Sequence, residues 1–211
     1  MSNAVDACYK PEILFEDENV LRHIAGEPCV IICNHTQRTK DNYLASSDGL
    51  ILRYVFQQQD VCSIVAKDIL EKPLLRLAAG GCGCIPIDRK SASIDWVHTC
   101  VARIREGSSV ILFPEGTTLK EKTIDQFKPG FVLLAKMANV PVLPVAINGV
   151  YKPFTRGKLK IKIGRPMPLQ CGTFTSEAMQ AEVARFRQIV GEMYEEICPD
   201  NSQNTKQFVE V

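Results

Sequence analysis

Short apolar runs alternate with amphipathic stretches along most of the chain. VIIC at 30–33 is a continuous apolar run of strand length, and GLILRYVF from Gly49 repeats its apolar positions at helical spacing. VCSIVA (61–66) predicts a second strand, and KDILEKPLLRLAAGG predicts two short helices interrupted at Pro73 and ended at Gly80-Gly81. CGCIPID predicts a third strand, Ser93 to Glu106 a helix with Gly107 as its C-cap, and VILFPEGT a fourth strand entering a loop. Pro129 to Asn139 predicts a helix, VPVLPVAING a fifth strand, and KLKIKIG an alternating edge or half-exposed strand. Ser176 to Ile197 predicts a closing amphipathic helix, ahead of a polar tail at 199–211. Strands and helices alternating through short loops predict an α/β sandwich around a mostly parallel sheet, one domain spanning 1–211.

Composition narrows the partners. An apolar fraction of 45% and a charged fraction of 23% exclude wholesale disorder. A net charge of +1 does not ask for nucleic acid. The charge is uneven, however: ten basic residues lie between Lys120 and Arg165 against Glu121 and Asp125, while the first 27 residues are acidic. A basic region on a neutral protein suits an anionic small molecule or lipid surface, or is a solvated face. No run reaches the roughly 18 apolar residues of a membrane span, and the start lacks a basic-then-apolar leader. The expected location is therefore cytoplasmic, with any membrane contact peripheral. Nine irregularly spaced cysteines read as buried, reduced core thiols. Cys82-Gly-Cys84 lacks a second half for zinc, so no metal is expected. Neither G-x-G-x-x-G nor G-x4-G-K-[ST] occurs, so no nucleotide is expected.

Four segments at strand ends carry candidate chemistry. These are Asn34-His35-Thr36, Ile85-Pro86-Ile87-Asp88-Arg89, Phe113-Pro114-Glu115-Gly116-Thr117 with Phe127-Lys128-Pro129-Gly130, and Val140-Pro141-Val142-Leu143-Pro144-Val145. Each alone has a plain reading: a satisfied histidine, a surface arginine, a turn, a buried strand. In this order they resemble the glycerolipid acyltransferase family, the 1-acylglycerol-3-phosphate acyltransferases and relatives, over about 30–166. That family's pattern is NH-x4-D, an arginine-bearing strand, FPEGTR, and a V-P-[apolar]-x-P-V strand.

The resemblance implies an α/β fold with its site at strand ends and direct transfer of a fatty acyl group. The donor would be an acyl thioester, on coenzyme A or acyl carrier protein, serving as co-substrate without a resident cofactor. The acceptor would be the sn-2 hydroxyl of 1-acylglycerol-3-phosphate, giving phosphatidic acid. His35 would be the general base, paired with a carboxylate that fixes its tautomer. Arg89, Glu115, Gly116, Thr117 and Lys128 would contact the acceptor phosphate.

Two positions depart from the pattern. Thr118 stands where the family has arginine after FPEGT, which leaves open another lysolipid or an amino-acid lipid as acceptor. The aspartate expected five positions after His35 is replaced by Lys40. Removing Arg38 to Ala45 restores His-Thr-Gln-Ser-Ser-Asp, which makes Asp48 the expected partner, with Asp41 the alternative. Ser46 or Ser47 would cap the following helix. Such an insertion can bulge with its ends close, or it can separate the dyad and leave a non-catalytic lipid-binding relative. Leucines and cations between Ile69 and Ala79 fit either an interfacial helix resting on the inner membrane face or an ordinary core helix.

Overall fold

Val, Ile and Leu dominate the strand segments, and most of these pack on both faces of one sheet. The computed structural model describes residues 11–36, 48–57, 60–71, 83–88, 93–116, 124–149, 159–172 and 174–198. Its strands are β1 (Glu12–Phe15), β2 (Val30–Cys33), β3 (Val61–Ala66), β4 (Ile85–Ile87), β5 (Ser109–Leu112), β6 (Val142–Asn148) and β7 (Lys160–Ile163). Its helices are α1 (Val20–Gly26), α2 (Asp48–Val55), α3 (Lys67–Leu70), α4 (Asp95–Arg105), α5 (Gly130–Ala138) and α6 (Ser176–Ile197).

The strand order is β1-β7-β6-β2-β5-β3-β4. From β6 to β4 the neighbours are all parallel, so five strands deliver their C-terminal ends to one edge. The mostly parallel α/β sandwich expected from the alternation is present. VIIC and SVIL are buried at every position because helices cover both faces, as parallel sheets require. On one face α4, α5 and α6 pack against Val30, Ile32, Val110 and Leu112. On the other, α1 and α2 pack against Ile31, Ile111, Leu143 and Val145. Each such side chain, fully buried, contributes about 1.5–3 kcal/mol.

Local chemistry sets the helix limits. Thr175 caps α6, its Oγ1 accepting the Ala178 N–H at 3.2 Å, and the helix buries Val183, Phe186, Val190, Met193 and Ile197. Asn139 ends α5 in the left-handed region (φ 55°), which lets the Val140 N–H turn back to the Ala135 carbonyl.

Two elements, β1 and α1, go beyond the sequence expectations, and they change the place of KLKIKIG. That segment is half-buried as expected, but β7 is not an edge: β1 adds to it in parallel and forms the edge instead. Glu12 and Glu16 reach Lys160 and Lys162, each at 3.7 Å. Part of the basic excess at 120–165 is thus matched by the acidic N-terminal segment. Lys136 donates to the Cys171 carbonyl, and Arg165 to the Glu16 carbonyl. Lys120, Lys122, Lys152, Arg156 and Lys158 lie outside the described residues, as does 72–80, most of the leucine-rich segment. No helix among the described residues is long and apolar enough to cross a membrane.

Candidate active site

β2 ends at Cys33, and the next three residues are each tied down separately. The Asn34 carboxamide continues the β2–β6 ladder by one step. Its Oδ1 accepts the Ile147 N–H and its Nδ2 donates to the Ile147 carbonyl, both at 2.9 Å. Asn34 is buried, so the paired amide replaces a backbone exchange that the departing chain no longer makes.

His35 therefore leaves the sheet from a fixed point. Its Nδ1 lies 3.0 Å from Asp48 Oδ2, and its ring stacks on Phe113 with centroids 4.2 Å apart and an angle of 11°. A carboxylate only accepts, so this contact places the proton on Nδ1 and leaves Nε2 as the basic nitrogen. The His35 side chain is 13% exposed. Asp48 is the first residue of α2 and has no exposure, and the helix N-terminus favours its charge. Thr36 gives it two further hydrogen bonds, N–H to Oδ2 at 2.9 Å and hydroxyl to Oδ1 at 2.8 Å.

The loop after β5 supplies the facing wall. Glu115 is turned inward, 4% exposed, and accepts the His35 N–H on Oε2 at 3.4 Å. Burial pushes its carboxyl up to about 8, with Asp125 and Asp48 adding to the rise and the His35 and Asp125 N–H groups opposing it. A protonated Glu115 contributes no charge beside Asp48. Gly116 has φ 71°, and a Cβ there would lie 2.8 Å from Lys128 Nζ, so the lysine side chain crosses directly over this glycine. The Lys128 N–H also donates to the Pro114 carbonyl at 2.9 Å, which fastens the Lys128 segment to the loop.

His35, Asp48, Glu115, Gly116 and Lys128 thus gather at the C-terminal edge of the parallel strands, where α/β sheets place their sites. The eleven residues of 37–47 do not separate His35 from Asp48. Arg89 and Thr117, each one residue past described Asp88 and Gly116, lie outside the described residues, as do Asp41, Ser46, Ser47 and Thr118. The anchoring by Asn34 and Thr36 and the stacking of Phe113 were not assigned from sequence. Their adjacency to His35 and Glu115 was the available signal, but hydrophobic periodicity says nothing about side-chain pairing across 113 residues. Cys33, beside the dyad, is a fully buried thiol, and burial pushes it well above its ordinary value. It is held as a thiol rather than a thiolate nucleophile. Among the described residues no cluster of three or more His, Cys, Asp or Glu side chains could hold a metal ion.

Residues 12–148 match the protein-family model described as Acyltransferase. The chain belongs to the Acyltransferase family. The family resemblance expected from the sequence is borne out. A chloroplastic 1-acyl-sn-glycerol-3-phosphate acyltransferase of Brassica napus is 29% identical over 132 residues, covering 62% of this chain and 36% of its own. The 1-acyl-sn-glycerol-3-phosphate acyltransferase of Cocos nucifera is 24% identical over 195 residues, covering 87% and 62%. The chain thus spans about a third to three-fifths of these relatives. The crystal structure of the 1-acyl-sn-glycerophosphate (LPA) acyltransferase PlsC from Thermotoga maritima matches with a TM-score of 0.61 at 21% identity. That match covers 87% of this chain and 72% of the other, and shows the shared fold.

Proposed function

We propose that this chain transfers a fatty acyl group from an acyl thioester to the sn-2 hydroxyl of 1-acylglycerol-3-phosphate, giving phosphatidic acid. The observation that carries this reading is the 3.0 Å contact between His35 Nδ1 and the buried Asp48 carboxylate, beside the Glu115-Gly116 loop. His35 Nε2 takes the hydroxyl proton as that oxygen attacks the thioester carbonyl carbon. The C–S bond then breaks, and the departing sulfur receives the proton from the imidazolium. Asp48 stabilises the imidazolium formed in between. We assign Lys128, whose side chain lies across Gly116, to the acceptor phosphate, together with Arg89 and Thr117. The thioester, on coenzyme A or acyl carrier protein, is a co-substrate, and no resident cofactor is called upon. We place the protein in the cytoplasm, at the inner membrane surface, where such an acceptor is held. Co-sedimentation with anionic vesicles at low salt tests that placement.

The deciding experiment is thiol release from palmitoyl-coenzyme A or palmitoyl-carrier protein with 1-acylglycerol-3-phosphate, using parent protein and His35→Ala. Turnover in the parent and its loss in the variant is the expected result. Thr118, in place of the family's arginine, favours a second acceptor class. Turnover with another lysolipid but not with 1-acylglycerol-3-phosphate would select that class. Binding without turnover on any acceptor would make the chain a non-catalytic relative.

A further inference from the structure

We infer that Thr36 is a positioning residue: a clasp that sets the Asp48 carboxylate for His35 regardless of how much chain lies between the two. Its kinetic consequence rests on the acyl-transfer reading above; its geometry does not.

A carboxylate turns about its own axis, and a long connection leaves the whole side chain free to drift. Eleven residues, 37–47, lie between Thr36 and Asp48, eight of them the insertion 38–45, and a longer connection by itself fixes its two ends less closely. Among the described residues, Thr36 supplies two donors that constrain it directly. The Thr36 hydroxyl takes Oδ1 at 2.8 Å and the Thr36 N–H takes Oδ2 at 2.9 Å, which fixes the carboxylate plane and turns Oδ2 toward His35 Nδ1 at 3.0 Å. Asp48 and Thr36 are both buried, so solvent does not supply these donors in their place.

Thr36 is itself held. Asn34 is bound to both polar groups of Ile147, and the His35 N–H rests on Glu115. Residues 34, 35 and 36 are thus anchored in turn to β6, to the loop after β5 and to α2. The residue next to the base binds both carboxylate oxygens of the first residue of α2. Hydrogen bonds to a charged group are the stronger class, and they matter most where water is excluded.

The test uses the full chain with Thr36→Val, which removes the hydroxyl while keeping shape, Thr36→Ser, which restores it, and a deletion of 38–45. In 15N-labelled protein the His35 Nδ1–H resonance is assigned by its loss in His35→Ala. It should be downfield and slow to exchange in the parent, in Thr36→Ser and in the deletion, and broadened or lost in Thr36→Val. In acyl transfer, Thr36→Val should lower kcat by about 10- to 100-fold with KM within about twofold, and Thr36→Ser should recover most of it. An unchanged His35 resonance in Thr36→Val, or its loss on deleting 38–45, overturns the clasp. A parent silent on every acceptor defeats the acyl-transfer reading alone, because the resonance decides the clasp without turnover.

Discussion

Replacing Glu115 by glutamine should remove a pH dependence from the stability of the fold. The side chain is 4% exposed, and burial raises its carboxyl from an ordinary 4.5 to about 8. Between those values the folded chain holds a proton that the unfolded chain releases. Stability from the protonated form is therefore full below about pH 4.5 and is lost as pH rises through about 8. A shift of this size corresponds to about 5 kcal/mol, lost at up to ~1.4 kcal/mol for each pH step of one. Glutamine keeps an oxygen to accept the His35 N–H but cannot ionise, so this contribution becomes flat. Urea unfolding followed by fluorescence of Trp96, the single tryptophan, compares parent and variant from pH 5 to 9. Other titrations cancel in the difference. Glu115→Gln should gain on the parent as pH rises to about 8, level off above it, and lead by a few kcal/mol at pH 9. Parallel curves across that range would refute the claim that Glu115 is protonated in the fold near neutrality.

Two further substitutions test packing around the site and the sheet. Ser63 Oγ, on β3, is buried without a hydrogen-bond partner among the described residues, so Ser63→Ala should leave stability unchanged or raise it by about 1 kcal/mol in urea titration. A clear loss would show that the hydroxyl is satisfied. Gly164→Ala would put a Cβ 2.9 Å from Pro144 Cγ and 3.2 Å from the Pro144 carbonyl oxygen, a ring and a backbone atom that yield little. It should cost about 1–3 kcal/mol, read as a lowered urea midpoint at constant slope.

Hydrophobic pattern made the interior of the fold legible. Ser176 to Ile197 was readable because an apolar stripe at helical spacing runs into a polar tail, and the Thr175 cap that starts it was seen only in the structure. VIIC was readable because a strand buried on both faces is an unbroken apolar run, and VCSIVA because a single serine interrupts an otherwise apolar one. The EILF strand was not, since it is four residues long, half-exposed and flanked by acids that its sequence neighbours do not explain. The explanation is Lys160 and Lys162, distant in sequence. The pairing of His35 with Asp48 was readable only by treating Arg38 to Ala45 as an insertion. Periodicity does not show whether such an insertion bulges outward or pushes the pair apart, because that depends on the Thr36 hydrogen bonds. The inward turn of Glu115 was hidden for a related reason: in sequence, a carboxylate in a glycine-containing loop looks solvent-facing.

The pairing of β1 with β7 bears on the order in which the molecule is built. Their partners are 148 residues apart, Glu12 opposite Lys160. At ribosomal rates of about 5–20 residues per second, β1 emerges roughly 7 to 30 s before the strand that receives it. During that interval it is an open template for other chains, and β7, once made, has one unpaired side until β1 arrives. The two glutamates give the waiting strand a charge that resists stacking with its own kind and is matched when the two lysines appear. This edge of the sheet thus joins a strand to a partner made long after it, and nascent-chain crowding should trouble that pairing more than those between strands closer in sequence.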